Sequence, residues 1–290
     1  MVLVIGASGT VGAEVAHQLV ALGQRPRALV RDPDAARQRL GDQVERVVGD
    51  LDRPETLDRA LDGADRVFLL TVPSGRQLEQ ERALIDSAKR AGVRRIVRLS
   101  RAGADERSPL HVARFHWEAE QQLERSGLAF TILRPSMFMQ NLLFMVRDGA
   151  ISSAIGDGRV AMVDVRDVAA VAVAALTRDG HAGRTYVVTG PQALGLEAAA
   201  RVLSRRLGRE IRYVRLSPDD VRNAFLRMGV DPWLADDAAT LDSLLSAGHD
   251  ERVTDDILEV TGRPPRTLAA FVQEFATAFQ PASGSDSERG

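Results

Sequence analysis

The sequence predicts an α/β fold: a doubly wound parallel sheet with a smaller, mainly helical C-terminal lobe. Three observations carry this expectation. Short β-branched runs alternate with amphipathic stretches through the first two thirds of the chain, as in a parallel sheet covered by helices. A glycine-rich turn joins the first of these runs to the first amphipathic stretch. The 290 residues, 44% hydrophobic and 27% charged, are enough for a sizeable core and argue against disorder.

Strands are expected at Leu3–Ile5, Arg27–Val30, Val44–Val48, Arg66–Leu70, Arg95–Leu99 and Ala129–Leu133. Helices fill the intervals. In the first, Val11, Val15, Leu19 and Leu22 fall on one stripe and Gly23 is the stop. In another, Ser108 is the N-cap, Pro109 the first helical residue, and Gly127 the close. Right-handed crossovers between such strands produce the doubly wound order. After Pro135 the pattern changes. Met137 to Met145 is densely apolar. Val163–Leu176 reads as a helix with Asp164 as its cap, Arg184–Val188 and Ile211–Arg215 as strands, Gly195–Leu207 as an amphipathic helix, and Asp219–Phe279 as mainly helical. The expected organisation is a nucleotide-binding domain over 1–135 with returning segments near 160–190, a substrate lobe over 136–280, and a disordered tail over 281–290.

Several function classes drop out. The net charge of −2 gives no basic excess to hold a phosphate backbone, so no nucleic-acid partner is expected. With no cysteine there is no disulfide scaffold, thiol nucleophile or cysteine-ligated metal. The five histidines, His17, His111, His116, His181 and His249, show no metal-binding spacing, so no metal site is expected. His17 lies opposite the apolar stripe of its helix and should face solvent. No run approaches the ~18 apolar residues of a membrane span, and no signal-peptide layout is visible. A cytoplasmic protein without a membrane partner is expected, with a homodimer left open. Lys89 is the only lysine, and the preference for arginine suggests a GC-rich bacterial genome.

The strongest motif is Gly6-Ala7-Ser8-Gly9-Thr10-Val11-Gly12, between a strand and a helix at the start of a βαβ unit. Gly6 permits the tight turn, Gly9 lets backbone approach a pyrophosphate, and Gly12 lets the helix pack on the strand. The N–H groups at the helix start then meet the phosphates. The pattern predicts a Rossmann-type dinucleotide site, with a glycine-rich turn that holds no ligand as the alternative. Arg31 follows the second strand, where an arginine suits the 2′-phosphate of NADP and an acid would suit NAD, so NADP is favoured over NAD. Asp50 closes the third strand; it either accepts from the adenine amino group or caps a helix ahead of Pro54. Ligands in such sheets bind at the carboxyl ends of the strands.

Together with Ala28-Leu29-Val30-Arg31, Gly49-Asp50-Leu51, Thr131-Ile132-Leu133-Arg134-Pro135, Phe138-Met139-Gln140-Asn141 and Val163-Asp164-Val165-Arg166-Asp167-Val168-Ala169, the motif resembles the NmrA-like group of atypical short-chain dehydrogenase/reductases. The resemblance covers most of the chain to about Pro218. It implies cofactor contacts from Gly6, Ser8, Gly9, Thr10, Val11, Gly12, Arg31, Asp50, Leu51, Thr71, Val72 and Ser100. It also implies that Pro135, Ser136, Met137 and Phe138 flank the nicotinamide. The substrate pocket would take Met137, Met139, Gln140, Asn141 and Phe144.

The departures from the wider superfamily bear on chemistry. Its Tyr-x-x-x-Lys pair is absent: four residues beyond Tyr186 and Tyr213 stand Gly190 and Ser217, and four before Lys89 stands Ile85. The resemblance puts His116 at the lysine's place and Val112 at the tyrosine's. His116 is the candidate catalytic residue, either bonding the nicotinamide ribose or donating a proton; an ordinary helix histidine is the alternative. Asp164 and Asp167 fit a helix start better than an acid pair. Hydride transfer to a simple ketone leaves an alkoxide that needs a nearby acid, whereas a quinone leaves a delocalised anion that tolerates a weak donor. The expected function is therefore NAD(P)H-dependent reduction of a quinone or similar activated aromatic acceptor, with tailoring of aromatic secondary metabolites as one setting. The alternative is a non-catalytic NAD(P)-sensing regulator that docks a protein partner.

Overall fold

The computed structural model describes residues 1–279, so the expected 281–290 tail lies outside the described residues. The chain divides into two compact units. The first comprises Met1–Ser136, Val165–Thr189 and Thr254–Pro264. The second comprises Met137–Asp164, Gly190–Val253 and the chain from Pro265 onward. No described helix is long and apolar enough to cross a membrane.

In the first unit, in chain order, are β1 (Val2–Val4), α1 (Thr10–Ala21), β2 (Arg27–Val30), α2 (Pro33–Leu40) and β3 (Glu45–Val48). Then come α3 (Leu57–Leu61), β4 (Arg66–Leu69), α4 (Gln77–Arg90), β5 (Arg95–Leu99), α5 (His111–Glu124) and β6 (Ala129–Pro135). After an excursion follow α6 (Val165–Thr177), β7 (Arg184–Val188) and α7 (Asp256–Thr261). The sheet order is β7-β6-β5-β4-β1-β2-β3, with every pairing parallel. Strand order reverses between β1 and β4, the switch point at which such sheets bind ligands. The central strands β1 and β4 are apolar and buried on both faces because helices cover both: α3, α4 and α5 form one adjacent series, and α1 packs on α6. Leu3, Leu69 and Ile96 are completely buried in this core.

Three local expectations are corrected. Leu22 does not belong to the buried stripe of α1; it is the C-cap and 60% exposed, because the helix ends just before Gly23 at φ +74°. Helix α5 begins at His111 rather than Pro109. The Ser108 hydroxyl closes a turn by accepting from the Leu110 N–H at 3.3 Å, and Leu110 becomes the N-cap. Helix α6 begins at Val165, two residues later than expected, because Val163 is engaged in a bridge with Phe138.

The second unit has its own core, in which Met139, Leu142, Ile151, Leu196, Leu203 and Phe271 are buried together. Its helices run Leu196–Leu207, Pro218–Arg227, Pro232–Ser246 and Leu268–Glu274. The strand expected at Ile211–Arg215 forms over Arg212–Arg215. Val146–Arg147 and Ala150–Ser153, which were not expected, form a hairpin through Asp148 and Gly149, both at positive φ, and Arg212–Arg215 pairs parallel to the second of these. Arg159–Val160 pairs with Leu194–Gly195.

Candidate functional site

The turn between β1 and α1 is shaped by what its glycines lack. Gly6 sits at φ +75°, and a Cβ there would lie 2.7 Å from the Leu70 carbonyl oxygen. A Cβ on Gly12 would lie 2.2 Å from the Gly6 carbonyl oxygen, so the helix start is folded directly onto the turn. Gly9 differs: its Cβ would meet only the Gly6 oxygen, at 3.3 Å. Gly9 is the N-cap of α1, with no side-chain cap and no acidic residue in the first turn. Ser8, Gly9 and Thr10 are exposed, whereas Val11 and Gly12 are buried. An uncapped helix start with open backbone before it is suited to an anion. By that test these residues fit the pyrophosphate of a dinucleotide.

The other strand ends lie on the same side of the sheet. Arg31 is exposed beyond β2, and the next residue, Asp32, caps α2 by accepting from the Asp34 and Ala35 N–H groups at 3.0 Å each. Asp50 closes a turn, its Oδ1 accepting from the Asp52 N–H at 3.0 Å. It does not cap the short helical turn ahead of it, which has Arg53 at its N-cap. Leu51 is half-buried, and Val72 after β4 is 77% exposed. Thr71 is buried; its hydroxyl donates to Glu81 at 2.6 Å. Pro135 and Ser136 end β6 in the first unit, both buried. Met137, Phe138, Met139, Gln140, Asn141 and Phe144 belong to the second unit. There Val163 is held on both sides, by the Met139 N–H and the Met137 carbonyl, and Gln140 donates to Asp164 at 3.0 Å. Met139 is core at 1% exposure, whereas Phe144 is 72% exposed.

Behind the end of β5 stands a set of buried charges that the sequence reading missed apart from Ser100 and His116. Arg98 and Ser100 are two apart and so share a face of the strand; His116 and Glu120 are four apart and share a face of α5. The two faces meet. Ser100 donates its hydroxyl to Glu120. Arg134 of β6 forks onto the same carboxylate from Nε at 3.0 Å and Nη2 at 2.5 Å. Arg98, wholly buried, forks onto Glu81 of α4 at 2.6 and 3.0 Å, and its Nη2 lies 3.1 Å from His116 Nδ1. Gln77 adds a further bond to Glu81 at 3.2 Å. Burial, then the positive charges of Arg98 and Arg101, hold the His116 pKa well below the usual histidine value. The available signal was an arginine inside an otherwise apolar buried strand. His17 is exposed, as expected, with Nε2 on the Arg39 carbonyl. His111 is exposed at the start of α5.

Sheet order, glycine turn and strand-end residues together define a Rossmann-type dinucleotide-binding protein of the atypical short-chain dehydrogenase/reductase group. More particularly, the chain belongs to the NAD(P)H-binding family, whose model matches residues 6–179. An NAD(P)H azoreductase of Xenophilus azovorans is 41% identical over 283 residues, covering 96% of this chain and 99% of the relative. A (4-alkanoyl-5-oxo-2,5-dihydrofuran-3-yl)methyl phosphate reductase of Streptomyces griseus is 40% identical over 286 residues, covering 97% and 100%. An NADPH-dependent quinone oxidoreductase of Escherichia coli, solved with NADPH, superposes with a TM-score of 0.85 at 30% identity, covering 95% of this chain and 99% of that one.

Proposed function

We propose that this NAD(P)H-dependent oxidoreductase reduces a quinone or an azo-linked aromatic acceptor, with NADPH as the preferred donor. The observation that carries the reading is the disposition of protons at the end of β5. No Tyr-x-x-x-Lys pair exists in the chain, and the family resemblance puts Val112 at the place of the tyrosine. The Ser100 hydroxyl gives its one proton to Glu120. Neither residue supplies the acid that the alkoxide of a simple ketone requires.

Bound NADPH supplies the hydride; the protein supplies orientation. A quinone that has taken up a hydride is a phenolate-type anion spread over ring and oxygen, and water can protonate it to the hydroquinone. An azo bond conjugated to two rings disperses the new charge in the same way. In this reading Gly6, Ser8, Gly9, Thr10, Val11 and Gly12 hold the pyrophosphate, and Arg31 meets the 2′-phosphate. The exposed Phe144 and Asn141 offer ring and amide contacts to the acceptor. The relatives named as azoreductase and quinone oxidoreductase support this acceptor class. Polycyclic quinones of aromatic secondary metabolism are the narrower substrate class we favour, since their hydroquinones go on to react with oxygen.

The test is an anaerobic incubation of protein and NADPH with a polycyclic quinone and, separately, an azo dye, with products resolved by chromatography. One hydroquinone per NADPH consumed is expected. Tight NADPH binding with neither acceptor reduced would replace this reading by that of a dinucleotide sensor.

A further inference from the structure

Arg98 has no counterpart in the functions assigned above, yet it is the largest fully buried side chain in the first unit. Burying a guanidinium is costly unless it is paired and hydrogen-bonded. Glu81 supplies the pairing and is itself saturated by Thr71 and Gln77. The remaining contact, 3.1 Å from Arg98 Nη2 to His116 Nδ1, has only one chemical solution. Arginine carries donors and no acceptor, so His116 Nδ1 must accept. An imidazole that accepts at Nδ1 carries its proton at Nε2.

We propose that Arg98 is a positioning residue that fixes His116 as a neutral imidazole protonated at Nε2, so that His116 serves the bound dinucleotide or acceptor as a hydrogen-bond donor and never as a titrating acid. This rests on the reading of His116 as a residue of the reductase site. The charged groups around His116 act in one direction. Arg98 on β5 and Arg101 just beyond β5 are cationic and lower its proton affinity. Glu81 on α4 is taken up by Arg98. Glu120, on His116's own helix, is taken up by Ser100 and by Arg134 of β6. Removing Arg98 removes both the donor at Nδ1 and the nearest positive charge.

The proposal predicts a reductase whose kcat/KM shows no imidazole ionisation between about pH 5 and 8, although an ordinary histidine titrates there. The direct readout is the long-range proton–nitrogen correlation spectrum of protein labelled with nitrogen-15 in histidine. His116 should show an unprotonated Nδ1 and a protonated Nε2 throughout that window. The paired variant Arg98→Met with Glu81→Leu leaves no charge uncompensated. In it Nδ1 loses the Arg98 donor, so the spectrum should show both neutral tautomers in place of the single Nε2-protonated form. A wild-type His116 that is protonated at Nδ1, or that titrates in the window, overturns the proposal. So does a paired variant in which His116 keeps the single Nε2-protonated tautomer. The wild-type spectrum decides the tautomer even if the paired variant does not fold. Because the spectra need no substrate, failure of every quinone and azo dye would sink the reductase reading separately.

Discussion

The glycine turn after β1 and the charged wall behind β5 belong to the same unit and are built from opposite materials. The turn is made of backbone. Its shape depends on missing atoms: a single Cβ at Gly12 would sit 2.2 Å from the Gly6 carbonyl oxygen. The wall is made of long charged side chains, Arg98 on Glu81 and Arg134 on Glu120, each carboxylate buried to about 1% exposure. Its shape depends on each carboxylate meeting its guanidinium. Gly6 and Gly12 therefore tolerate no addition, and the wall tolerates no single deletion.

The sharpest way to break this comparison is Glu81→Leu. That change strands the Arg98 guanidinium in the core, and a loss of about 3–5 kcal/mol in urea unfolding is expected. Removing both partners, Arg98→Met with Glu81→Leu, should cost at least about 2 kcal/mol less, since no charge is left unpaired. Equal losses would mean that the pair is not what stabilises the wall. The turn is probed by Gly12→Ala, for which roughly hundredfold weaker NADPH binding, about 2.8 kcal/mol, is expected by fluorescence titration. An unchanged Kd would show that α1 can shift to admit the methyl group.

A smaller effect follows from His116. Its folded pKa is depressed, so the unfolded chain takes up the proton first as pH falls. Stability contributed by the neutral ring is complete above the ordinary value of 6.5 and is lost as pH drops below it towards the folded pKa. The slope from this one group is at most about 1.4 kcal/mol per pH unit. His116→Gln should flatten the pH dependence of the urea midpoint below about pH 6.5 relative to wild type; identical slopes would contradict the assignment. The smallest effect is expected at Arg31, exposed and outside both regions. Arg31→Ser should narrow the NADPH-over-NADH preference by roughly tenfold, about 1.4 kcal/mol. An unaltered ratio would remove Arg31 from the 2′-phosphate.

The same contrast explains what was legible in the sequence. The turn is written locally, in seven consecutive residues, and at Gly6 and Gly12 only glycine satisfies its geometry. Strands Arg27–Val30, Arg95–Leu99 and Arg184–Val188 could be bounded to the residue because each is a short run rich in apolar residues, opened by an arginine and followed by a polar residue. The wall is written at long range: Glu81 lies 17 residues from Arg98, and Glu120 lies 20 from Ser100. No single-sequence period joins them, although Arg98 inside an apolar strand marked one partner. In the second unit the hairpin strands Val146–Arg147 and Ala150–Ser153 are too short for alternation to show. Only Asp148-Gly149 carried a hairpin signal. The start of α5 was misread because a serine before proline can cap a helix or close a turn, and Ser108 does the latter.

The central claim is that the site delivers hydride only to acceptors that need no protein acid. It is tested most directly by titrating the protein with NADPH, following cofactor fluorescence, and then adding first a simple ketone and then a quinone to the same sample. The account predicts tight binding, no change with the ketone, and rapid loss of NADPH fluorescence with the quinone. Turnover of the ketone, or silence with the quinone, would contradict it.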